Sequence, residues 1–128
     1  MAGLHLLWAT GSPWPLADRA TLSDAVVGQD AFPPPAACVK VATALATGSV
    51  LVAGWPHQAP RIRRAGVLGV VGVLSLRGAL GIAGRTDVVS PGSSSPRFRA
   101  LDRKLYSPIS LTIAALAVSA ARPSRATA

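Results

Sequence analysis

The side chains that could do chemistry form an unbalanced set: His5, His57, Cys38, Tyr106, two Lys, eleven Arg and five Asp, with no Glu. A single cysteine excludes an intrachain disulfide and a cysteine-based metal site. His5 and His57 lie too far apart for a zinc motif, so no metal and no other cofactor is implied. Cys38 sits in an apolar run without a neighbouring base, and Ser107 precedes a proline. Neither reads as an activated nucleophile, and no glycine-rich phosphate loop is present. The one acid–base arrangement that can be drawn sets His5, oriented by Asp102, as a base and Tyr106 as an acid. A small membrane-embedded enzyme is therefore the last of the readings, behind structural and binding roles.

The elements that carry these residues are largely apolar. Half of the 128 residues are hydrophobic and 14% are charged, against roughly 25% in a soluble domain. The net charge of +8 would ordinarily point to nucleic acid. Here the arginines flank apolar runs, as topology signals do, and six aromatic residues make a poor stacking platform. Nucleic acid is not an expected partner; the lipid bilayer is.

Two stretches are long enough to span it, Ala36–Trp55 and Ala65–Gly84. The first carries only Lys40 and the second only Arg77. In the second, Gly66, Gly69, Gly72, Ser75, Gly78, Gly81 and Gly84 place a small residue at every third position. Three residues advance a helix by about 300°, so the stripe winds around it. This predicts a central helix that meets different neighbours at different depths. Those neighbours belong either to the same chain or to further copies in a homo-oligomer. Pro108 fits the first turn of a last helix to Ala121, closed by Arg122 and Arg125. Before it, Phe98, Leu101 and Leu105 recur at helical spacing among basic residues, as in a helix that lies in the headgroup region.

The segments His5-Leu-Leu-Trp8-Ala9-Thr-Gly11 and Asp102-Arg-Lys-Leu-Tyr106-Ser107-Pro108, with Arg77 between them and Phe98 before the second, resemble an uncharacterised family of small bacterial membrane proteins. The family is a domain of unknown function, and the resemblance covers nearly the whole chain. It implies an all-α integral membrane helix bundle of about four helices and a multi-pass location in the bacterial cell membrane. It brings no reaction, ligand or partner. The Ala, Gly, Arg, Val and Pro bias also fits a GC-rich bacterial genome. One membrane domain over 1–128 is expected, with helices near 1–10, 36–55, 65–84 and 107–121 and polar loops 11–35 and 85–106. Loop 11–35 holds five prolines and room for one short interfacial turn or two at Leu22, Val26 and Val27. Met1–Ala9 rises only about 14 Å against a hydrocarbon core of about 30 Å. The resemblance favours a true start upstream, making this first helix a truncated one.

With three spans after the first helix, loops 11–35 and 85–106 must face the same side. His5, Trp8, Lys40, Arg77, Asp102 and Tyr106 then gather in one half of the bilayer. Arg77 lies roughly 10 Å below that face. An arginine at mid-span costs about 2.5–3.5 kcal/mol, less where it can snorkel, so Arg77 needs a partner. Asp102 is the natural one, with Asp24 or Asp30 behind it and the Tyr106 hydroxyl completing the hydrogen bonding. Such a cluster either is a structural clasp or binds a small anionic molecule or lipid headgroup through His5, Lys40 and Arg77. The alternative to an integral bundle is a basic peripheral protein held on the membrane surface by residues 97–106. Basic residues divide too evenly between the two sides for the positive-inside rule to set the orientation.

Overall fold

Proline opens and glycine closes the long helices. The computed structural model describes residues 1–121, Val89 by its backbone alone; Arg122 and Arg125, expected to close the last helix, lie outside the described residues. Helix α1 covers Ala2–Ala9 and α2 covers Arg19–Val26. Helix α3, Pro35–Val52, and α4, Pro60–Ile82, each carry proline in the first turn, where its missing N–H goes unused. Beyond them Gly54 and Gly84 stand at φ +103° and +75°, the left-handed conformation that ends a helix with least strain. After Gly84 the Arg85 N–H returns to the Leu80 carbonyl at 2.8 Å. A short α5, Thr86–Val89, leads to α6, Pro96–Leu101, a π-helical turn, Asp102–Tyr106, and α7, Ser107–Ala121. Among the described residues every regular element is helical.

Among the described residues three helices are long and apolar enough to cross a membrane: Pro35–Val52, Pro60–Ile82 and the continuous Pro96–Ala121. Only 17% of each hydrophobic window is buried within the protein, so the rest of each span meets its surroundings. Leu68, Val73, Leu76 and Leu116 are all more than 60% exposed, as expected where the solvent is lipid. Contact between helices falls on small residues instead. Gly48 faces Val70, Gly66 faces Leu51 and Gly78 faces Leu111, while Ala114 and Ala117 are buried. The small-residue stripe thus turns from α3 at one end of α4 to α7 at the other, and between them Gly69 and Gly72 touch nothing.

The spans differ from expectation at their ends. Helix α4 begins at Pro60 and takes Arg61, Arg63 and Arg64 into its first turns, because a basic run is compatible with a helix even where it cannot enter lipid. Residues 97–106 do not form a separate surface helix. They continue into α7, and Phe98 is 2% exposed, with its ring directly over Gly28. Phe98 is thus turned into the protein, while Leu105 stays 45% exposed; the three apolar spans fit an integral protein and not a peripheral one.

Both polar loops lie on one side and interlock into a cap. Asp18 caps α2, its carboxylate accepting from the Thr21 N–H at 2.8 Å and the Thr21 hydroxyl at 2.9 Å. The Ser94 N–H donates to the Gly28 carbonyl at 2.9 Å, and the Ser93 hydroxyl to the Val27 carbonyl at 2.7 Å. The Gln29 amide donates to the Pro91 carbonyl and the Tyr106 hydroxyl to the Ala25 carbonyl. Beneath the cap Trp8, Leu22 and Cys38 form the apolar core, with Leu16, Val26 and Phe32 against them.

Candidate functional site

Pro108 sets the local geometry of the polar cluster. It has no N–H to give to the carbonyl four residues back, and a proline inside a helix otherwise kinks it. Here the preceding turn widens instead, with the Ser107 N–H reaching the Asp102 carbonyl five residues back. This rephasing brings the side chains of Asp102 and Ser107 to one face. Both are 0% exposed, and the Ser107 hydroxyl donates to Asp102 Oδ1 at 3.3 Å.

Arg77 on α4 completes the arrangement. Its Nη2 donates to Asp102 Oδ1 in a close ion pair, and the Thr86 hydroxyl donates to Oδ2 at 3.1 Å. The carboxylate therefore collects donors from α4, α5 and the start of α7, the kind of enclosure a buried charge requires. Gly81, one turn beyond Arg77, makes room for it. A Cβ there would overlap Ser107 Oγ and stand 2.7 Å from Asp102 Oδ2 and 3.1 Å from Arg77 Nη1. That Nη1 is buried and donates to no group among the described residues.

Beside the pair lies a cleft of about 460 Å³, lined by His5, Trp8, Leu22, Arg77, Arg97 and Tyr106 among others. Trp8 is held by its Nε1–H, which donates to the Trp14 carbonyl at 2.8 Å, and by an edge-on contact with Phe32. His5 Nδ1 lies 3.1 Å from the Met1 carbonyl oxygen, and its ring is 4.9 Å from that of Trp8. Arg97 lies 3.7 Å from Asp24 across an exposed pair.

Of the six residues singled out from sequence, His5, Trp8, Arg77 and Tyr106 share this cleft, and Asp102 stands behind Arg77. Lys40 does not join them. It is exposed on α3, because the inward face of that helix carries Cys38 and Ala42, one turn apart, and a residue two places from Cys38 points about 200° away. Tyr106 does not complete the hydrogen bonding of Arg77. The wide turn directs its hydroxyl to Ala25 at 3.0 Å, and Thr86 and Ser107 serve Asp102 instead. Sequence reasoning missed Thr86, Ser107 and Gly81. Two signals bear on them: a proline six residues after an aspartate on one helix, and a glycine one turn from an intramembrane arginine.

Residues 1–117 match the model of a family described as a protein of unknown function, DUF3995. No curated protein and no solved structure matches the chain. An all-helical chain with three helices able to cross a membrane, matched over residues 1–117, belongs to the DUF3995 family.

Proposed function

We propose that the Arg77–Asp102 cluster is a structural clasp in a multi-pass protein of the bacterial cell membrane, and that none of its members is catalytic. One observation carries this reading: the fully buried Asp102 carboxylate takes its hydrogen bonds from three separate segments, through Arg77, Thr86 and Ser107. A carboxylate so enclosed neutralises the arginine of α4 and ties α5 and α7 to it. Asp102 accepts no hydrogen bond from His5, which leaves a general-base pair without support. The motive for an anion site, an excess of cations, also weakens once Lys40 faces outward and Arg77 is paired.

A second reading is favoured by Arg77 Nη1, which is buried without a partner among the described residues, and by Arg97 along the same cleft. Under it, the cleft takes a small anionic molecule or a lipid headgroup. Asp102→Asn separates the two. As a clasp, Arg77→Ala leaves a buried, uncompensated Asp102 and is destabilised by about 3–5 kcal/mol, and Asp102→Asn, which leaves a part-buried Arg77 without its carboxylate, is destabilised by less. As an anion site, the same change frees a cation, so the folded variant retains more of an anionic lipid in native mass spectrometry while Arg77→Ala retains less. Unfolding in detergent, followed alongside that spectrum, decides between them.

A further inference from the structure

We propose that the groove between α4 and α7, at the end of the bundle away from the cap, binds the headgroup and upper acyl chain of one anionic phospholipid. This site is separate from the clasp and the cleft, and lies at the opposite membrane face. The groove encloses about 400 Å³ and is lined by Arg63, Arg64, Val67, Val71 and Val118 among others. Charge and polarity are segregated along it. The two guanidinium-bearing residues stand at its outer end, and the lining runs inward for about 12 Å along α4 from Arg63 to Val71, at 1.5 Å per residue. The Arg63 guanidinium lies beside the loop before α4, its Nη1 3.5 Å from where a Gly54 Cβ would stand.

Among the described residues no acid competes for those arginines. The five aspartates are Asp18, Asp24, Asp30, Asp87 and Asp102. The first four lie in the cap loops and the last is enclosed by the clasp. From residue 31 to residue 86 there is no acidic side chain at all. The end of the bundle formed by the close of α3 and the opening of α4 therefore carries Arg61, Arg63 and Arg64 without a carboxylate among the described residues. Arginine matches phosphate oxygens with two parallel donors, and basic pockets between membrane helices are suited to anionic headgroups. The apolar lining fits an acyl chain and not a soluble anion. A phosphodiester lipid bearing net negative charge satisfies both ends of the groove.

The test uses the full chain in detergent, incubated with phosphatidylglycerol or phosphatidylcholine and examined by native mass spectrometry. The wild-type chain is expected to retain one phosphatidylglycerol in preference to phosphatidylcholine. The double variant Arg63→Gln/Arg64→Gln is expected to lose about thirtyfold in that retention, from two basic contacts. Arg61→Gln removes one charge from the same end but none from the groove lining, and should leave retention unchanged. Val118→Phe fills the groove with both arginines intact and should also lose the lipid; its site is part-exposed, so the fold tolerates it. Equal retention of phosphatidylcholine overturns the proposal. So does a loss with Arg61→Gln as large as with the double variant, which would reduce the effect to diffuse surface charge.

Discussion

The cap end and the middle of α4 follow different rules. From Arg77 to Ile82, nearest the cap, the helix is crowded: Gly78 leaves space for Leu111 and Gly81 for Ser107, Asp102 and Arg77. In the middle of the same helix Gly69 and Gly72 have nothing within 4 Å, and Leu68 and Val73 stand exposed beside them. The same residue type at the same spacing thus serves close packing at one end and none at mid-helix. Lipid is as apolar as leucine, so apolar side chains gain little by pairing with one another across a membrane. Specific contact comes instead from polar groups that must find each other and from small residues that let them.

The largest expected effect that would break this contrast is at Gly81. Gly81→Ala forces a Cβ into Ser107 and Asp102 and should destabilise the protein by about 3 kcal/mol, the upper range for overpacking. Gly72→Ala has open space and should be neutral or stabilising by about 0.5–1 kcal/mol, through helix propensity. Chemical unfolding in micelles measures both, and equal losses at the two sites would end the distinction. A second substitution extends the contrast into the cap. Gly28 stands at φ +74° with the Phe98 ring within 2.6 Å of a Cβ position, so Gly28→Ala should cost about 2 kcal/mol and loosen the cap first. Hydrogen exchange of the amides of Ser94 and Ser95, which donate to Gly28, should accelerate. The smallest effect lies at the outer rim. The Thr21 N–H, then the Thr21 hydroxyl, holds the Asp18 carboxyl below its ordinary value of 3.8. Its contribution is complete above that value and lost as pH falls through the lowered one. Asp18→Ala should therefore be slightly less stable at neutral pH and show a shallower decline in acid, with α2 helicity as the readout.

Much of this architecture is legible from residue types alone. The apolar stretches around 36–55 and 65–84 identify two spans because twenty residues without acids suit lipid. Counting crossings puts the two polar loops on one side, and an arginine at depth calls for an acid, which leads from Arg77 to Asp102. What stays hidden depends on backbone geometry. The cap is stitched by hydroxyls and amides donating to the carbonyls of Val27, Gly28 and Pro91, and a carbonyl acceptor leaves no mark on residue type. The wide turn before Pro108 moves Ser107, and not Tyr106, onto the face of Asp102; a uniform helical wheel cannot show this. The orientation of Lys40 was within reach, since Cys38 and Ala42 mark the inner face of α3.

The coupling between Arg77 and Asp102 is the most direct measure of the clasp. Unfolding free energies of Arg77→Ala, Asp102→Ala and the double variant, taken in one detergent, form a complete cycle. A clasp predicts that each single change costs about 3–5 kcal/mol and that the double costs little more than either. Strictly additive losses, or two single variants as stable as the wild type, would show that the pair does not hold the bundle together.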